Sequence, residues 1–179
     1  LRDARGLCVR HGWRMAGHRG AVLGTAIIYR DVINTLVKAL EANADPRARL
    51  FRRGQPELSR ALAPSAACPA CLLEQDAEHR AAKILLNHID DQAIADAYRK
   101  AGGLCLPHLQ ITIAHASQSA VKELVAWQAE VWSQLRGELD ELIRKHDYRF
   151  QSEPVTEAES IAWERAVAAV AGEPEPDAE

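Results

Sequence analysis

The sequence predicts an all-α fold, a helical bundle with long helices, and three observations carry this. Alanine, leucine, glutamate and arginine dominate while aromatic residues make up only 5% of the chain, a composition that favours helix over strand. Apolar residues recur three and four positions apart through most of the chain, the spacing that builds one apolar helix face. No segment of useful length alternates with period two, so nothing reads as a strand. With 179 residues, 47% of them hydrophobic, the chain can bury the core of one ordinary domain.

The elements follow in order. A first helix starts near Cys8 and breaks at Gly17 to Gly20. A second, over about Val22 to Ala42, aligns Leu23, Ile27, Val32 or Ile33, Leu36 and Leu40 on one broad face. Asp45 to Ala67 carries Pro46, Gly54, Pro56 and Pro64 and reads as a linker, with a short helical turn around Leu50 and Phe51. Pro69 suits the first turn of a third helix, which runs to about His88. A shorter helix from Asp90 to Lys100 stops at Gly102 and Gly103. The longest helix spans about Pro107 to His146. Its seam of Leu124, Trp127, Val131, Leu135, Leu139 and Leu142 advances by three or four residues and is expected to pack on the helix over Val22 to Ala42. Glu157 to Ala171 forms the last helix.

This organisation predicts a single helical domain over residues 1–171, with pseudo-repeat halves at about 1–43 and 68–146 joined by a linker at 44–67. The tail at 172–179 is expected to be disordered. It holds four acids and no base from Glu173 onward, so the net charge of -3 leaves the body nearly neutral, without the basic footprint of a nucleic-acid binder. No run approaches the roughly 18 uncharged apolar residues of a membrane span. No signal-like segment follows Leu1. The expectation is a soluble, cytoplasmic protein with no membrane or nucleic-acid partner and an unspecified oligomeric state.

The cysteines carry the chemistry. All four lie in two-residue-spaced pairs: Cys8 with His11, Cys68 with Cys71, and Cys105 with His108. The hexapeptide GLCVRH at Gly6 to His11 returns almost unchanged as GLCLPH at Gly103 to His108. Such pairs at helix starts aim two soft ligands at one point, and zinc takes four in a tetrahedron. Cys68, Cys71, Cys105 and His108 form the predicted metal site, with the helical hairpin over Leu72 to Lys100 tied by zinc. Cys8 and His11 form an incomplete second site, with His18 as a third candidate ligand; the alternative is that Cys8 and His11 swing over to join the other four, giving six candidate ligands around a shared centre. His18 and His115 each follow their C-x-x-H histidine by seven positions, two helical turns, so His115 is a candidate outer partner of the main site. The bland alternative is that both mark one packing position in two related helices. His79, His88 and His146 read as surface or capping residues.

Other chemistries compete for the CPAC pair at Cys68 to Cys71. A thiol redox centre uses the same spacing at a helix start, although it belongs after a strand and none precedes Cys68 here. An iron–sulfur cluster usually takes four thiolates, whereas this set offers three and a histidine. Buried thiols can also be plain packing. Glu74, Asp76 and Glu78 follow the pair and could place a base beside a metal, but a helix dipole already explains acids there. No H-E-x-x-H, G-x-S-x-G or phosphate-binding glycine loop is present, and no catalytic residue is assigned. Pairing of cysteines in a cytosolic-looking chain argues against structural disulfides.

GLCVRH at 6–11, AIIYRDVI at 26–33, CPAC at 68–71, GGLCLPHL at 102–109 and IRKHDYRF with EP at 143–154 resemble the bacterial domain-of-unknown-function 6062 family over about Gly6 to Ala171. The resemblance implies a tandem arrangement with a C-x-x-C before each C-x-x-H. Here no C-x-x-C lies among the seven residues before Cys8. It implies architecture and no reaction. The reading is thus a zinc-stabilised helical module, more a binder than an enzyme, acting on an unidentified protein partner with the surface around His146 to Phe150. The alternative is a thiol redox or iron–sulfur sensor or enzyme using Cys68 and Cys71.

Overall fold

The computed structural model describes residues 1–44 and 54–173, and among them every regular element is helical. The elements are α1 (Val9–Gly17), a 3-10 turn (Arg19–Ala21), α2 (Val22–Ala44), α3 (Gly54–Leu62), α4 (Pro69–Asn87), α5 (Gln92–Lys100), α6 (Leu106–His115), α7 (Gln118–Lys145), α8 (Glu157–Ser160) and α9 (Ala162–Ala171). The expected turn at Leu50 and Phe51 and the acidic residues from 174 on lie outside the described residues, and α3 forms within the segment read as a linker.

Two compact units divide the chain, one up to Asp76 and one from Ala77, with the boundary inside α4. In the first unit α2 packs on α1, the 3-10 turn and α3. The N-terminal segment straps this unit. Arg2 grips Asp31 with two hydrogen bonds of 2.6 and 2.7 Å, Arg5 donates to the Ala61 carbonyl at 2.5 Å, and the Ser65 amide donates to the Asp3 carbonyl. The strap turns at Gly6, whose φ of +97° glycine adopts without strain and whose missing Cβ leaves room for the Tyr29 ring.

The apolar face expected along α2 is not the buried one. Val32 is buried, but Leu23, Ile27, Ile33 and Leu40 are exposed. Within the helical stretch Arg19–Ala42 an 18-residue window has a mean hydropathy of 1.2 and is only 6% buried, so by length and composition the stretch is long and apolar enough to cross a membrane. This corrects the expectation that no segment meets that requirement. Arg30, Asp31 and Lys38 interrupt the uncharged run on which that expectation rested, but length and average hydropathy tolerate so few charges.

In the second unit α7 is the axis, with α5, α8 and α9 packed on it. Its seam is buried as far as Leu135, with α5, α8 and α9 of its own unit packed on the helix. Ile89, Ala95, Tyr98, Leu109, Ala120, Leu124 and Trp127 form the core. The helix read as continuous from Pro107 to His146 is broken at Ala116 and Ser117. The Ser117 side chain caps α7 by accepting from the Ala120 amide, a stop signal that apolar spacing alone does not show. The last helix likewise breaks at Ile161, after the Thr156 and Glu159 capping box of α8.

Gly103 has a φ of +75°, and a Cβ there would stand 2.8 Å from the Gln128 amide. That side chain is buried, accepts from the Leu104 amide at 3.0 Å and takes the Tyr98 hydroxyl hydrogen bond, so the glycine stop doubles as a contact with α7. The segment after α7 is held by charge. Arg144 bridges Glu141 and Glu153 and lies over the Phe150 ring, while Lys145 donates to both Glu159 oxygens at 2.8 and 2.7 Å.

Two outcomes test this packing. Leu124 is fully buried, so Leu124→Ala should cost roughly 2.7 to 5 kcal/mol in denaturant unfolding through lost transfer energy and a residual cavity. Val125→Ala, one position on and 46% exposed, should stay within about 0.5 kcal/mol. Equal losses in the two variants would mean that α7 buries a different face. Lys145 above all, then the Thr156 backbone amide, holds the Glu159 carboxyl below its ordinary value. A lowered folded value contributes stability that is complete above the unfolded value of about 4.3 and is lost as pH falls through the folded value. Glu159→Gln should therefore melt lower than the native chain at pH 7, and the gap should close at strongly acidic pH; a gap independent of pH would contradict the pairing.

Candidate metal centre

Two helix starts converge in the first unit. Cys8 is the N-cap residue of α1, with extended backbone at φ -64° and ψ 168°, and His11 sits one turn into the helix. Cys68 directly precedes α4, Pro69 occupies its first position, where no amide is needed, and Cys71 follows one turn in. A C-x-x-C or C-x-x-H at such a start points both side chains ahead of the helix, where unpaired backbone amides favour a thiolate.

The result is a group of four donors, Cys8 Sγ, His11 Nδ1, Cys68 Sγ and Cys71 Sγ, all within 4.8 Å of one another. Cys8 Sγ stands 3.2 Å from His11 Nδ1 and 3.6 Å from Cys71 Sγ. His11 Nδ1 lies 3.7 Å from Cys68 Sγ and 3.4 Å from Cys71 Sγ. All four cysteines of the chain are free thiols. His11 is buried, and its other ring nitrogen, Nε2, lies 2.7 Å from the Glu74 carboxylate one turn beyond Cys71 on α4. Arg10 pairs with the same carboxylate. Such a cluster can hold a metal ion, with Glu74 orienting the histidine from behind.

The electrostatics suit that use. Burial pushes the Cys68 thiol up, but the backbone amides of Cys8 and Cys71 and the His11 ring outweigh it and bring it down to about 6. The Cys8 side chain and burial push Cys71 up to about 11, because a second thiolate beside the first is repelled. The Glu74 hydrogen bond raises His11, and His11 in turn lowers Glu74. Holding all three as thiolates at one point would require a cation between them.

The structure thus brings Cys68 and Cys71 to Cys8 and His11, whereas the sequence reading joined them to Cys105 and His108. Helix length accounts for the difference. At 1.5 Å per residue the 19-residue α4 rises about 28 Å and the nine-residue α5 only about 13 Å, so the hairpin returns half-way along α4. Cys105 and His108 accordingly lie in the second unit, with His108 Nε2 3.7 Å from Glu78 on α4. His18 is exposed at the end of α1 and is not among the four donors. His115 is exposed at the end of α6, its ring edge-on to His79. Glu74 is the residue that sequence reasoning set aside as a dipole effect; its place three residues after Cys71 was the available signal.

A protein-family model described as a family of unknown function (DUF6062) matches residues 2–177. No curated protein and no solved structure matches the chain.

Alkylation of metal-stripped protein at pH 7 tests the site electrostatics. That pH lies above the Cys68 value and below the Cys71 value, so Cys68 should be modified by iodoacetamide before Cys71. Peptide mass spectrometry showing equal rates for the two would refute the charge distribution.

Proposed function

The chain belongs to the DUF6062 family, and since that family is one of unknown function we propose a role from the site itself: a zinc-stabilised helical module that acts by binding a partner or as a regulatory element. The observation that carries this is the donor geometry. Zinc bonds of about 2.3 Å to sulfur and about 2.0 Å to nitrogen, at tetrahedral angles, put donors about 3.8 Å apart for two sulfurs and about 3.5 Å apart for sulfur and nitrogen. Four of the six separations among Cys8, His11, Cys68 and Cys71 run from 3.2 to 3.7 Å, and all six lie within 4.8 Å. Three thiolates and an imidazole are soft ligands that select zinc over magnesium or calcium, and an iron–sulfur cluster would ordinarily ask for a fourth thiolate.

Four protein ligands close the coordination sphere, leaving no position for an activated water, so the metal is structural. Its role is to tie α1 to the start of α4. Glu74, accepting the proton of His11 Nε2, leaves Nδ1 as the nitrogen that faces the ion. A partner-binding role draws support from apolar side chains left in solvent in the first unit, among them Trp13, Leu23 and Ile27. Free, metal-poised thiols suit a reducing compartment such as the cytoplasm.

Metal analysis of anaerobically purified protein tests the reading. Zinc tightly held in this site should be lost in Cys8→Ser, with a sharp drop in melting temperature, since structural zinc is worth on the order of 10 kcal/mol. Cys105→Ser should keep that ion. Metal-free protein carrying a reversible Cys68 to Cys71 disulfide would replace this reading with the redox one.

A further inference from the structure

Cys105 and His108 repeat the first site's start almost atom for atom. Cys105 caps α6 with φ -69° and ψ 159°, against -64° and 168° for Cys8 at α1. Its Sγ lies 3.1 Å from His108 Nδ1, against 3.2 Å between Cys8 and His11. A glutamate of α4 again stands behind the ring, here Glu78 at 3.7 Å from Nε2. The backbone amide of Leu109 bonds the Cys105 carbonyl at 2.8 Å, as that of Gly12 bonds Cys8, so both loops present sulfur and nitrogen in one orientation. Two features differ. The His108 side chain is 51% exposed where that of His11 is 6% exposed, and among the described residues no third cysteine, histidine or acid completes a donor group around it.

We propose that Cys105 and His108 are half of a second zinc site, completed by the same two residues of a second copy of this chain. The counting is direct. Zinc takes four ligands, each copy offers two, and a two-fold axis through the ion gives a tetrahedral set of two thiolates and two imidazoles. Such a bridge needs both donors within reach from outside the chain; at the start of α6 His108 is exposed and Cys105 is half-buried. Each Cys105 thiol gives up its proton to solvent as its sulfur binds, and each imidazole binds in its neutral form, so the bridge carries no net charge from its ligands and ion together. The ion would serve as the link between protomers, and zinc supply would set the fraction of chain that is paired.

The inference rests on the zinc reading of the first site, and one set of measurements separates the two. Zinc content and sedimentation mass are measured on the full chain, with zinc added and after mild chelation. The native chain with zinc should sediment at twice its 19.7 kDa and carry about one and a half zinc ions per chain, one in the closed site and a half share of the bridge. Cys105→Ser and, independently, His108→Ala should sediment as monomers with one zinc and an unchanged helical circular dichroism spectrum. A native chain that stays monomeric at saturating zinc overturns the bridge, including when it holds a second ion, which would mean donors from elsewhere. A dimer that survives both substitutions also overturns it. Loss of the first ion's signature is read separately, in Cys8→Ser: a variant that keeps all its zinc defeats the closed site, whatever the oligomeric state.

Discussion

His11 is the side chain on which the first unit depends. Its ring is buried between two helix starts, with three thiols around Nδ1 and the Glu74 carboxylate on Nε2. A buried imidazole between a carboxylate and a thiol cluster has its tautomer fixed from behind, which frees the other nitrogen for an ion. In the first unit the described residues bury few large apolar side chains, Val32 foremost, so hydrophobic packing alone gives it a slender core. A cation held by residues far apart in sequence is the kind of crosslink on which small cores rely.

The second unit is stabilised by other means. Leu124, Trp127 and their neighbours give it an apolar core around α7, and Tyr98, Gln128 and the Leu104 amide form a hydrogen-bonded cluster at its edge. The partner surface expected around His146 to Phe150 is, in the structure, a turn clamped by Arg144 and Arg149, both against the Phe150 ring. Charge pairing there orders the chain between α7 and α8 and leaves His146, Tyr148 and Arg149 exposed.

The all-α class, the positions of α1, α2, α4 and α5, and the buried half of the α7 seam were legible because each rests on local information: spacing, propensity, proline at a first turn, glycine at a stop. The break at Ser117 was written locally too, in a capping residue, but a continuous apolar period masked it, while the break at Ile161 carries no side-chain cap. The apolar face of α2 misled because periodicity says which residues share a face and not whether anything covers it.

By itself the sequence determined the ligand types. Soft donors paired two residues apart, at helix starts, can serve a metal wherever the fold sends them. Which pairs meet was decided by tertiary structure. The two C-x-x-H motifs are nearly identical, so local chemistry could not choose between them for CPAC. The choice fell to the unequal lengths of α4 and α5, which carry Cys105 and His108 to Glu78, and to the strap that sets α1 in place through Arg2, Asp31 and the Asp3 carbonyl. Rise per residue and contacts between distant segments settle such a question, and neither is written in the spacing of a motif.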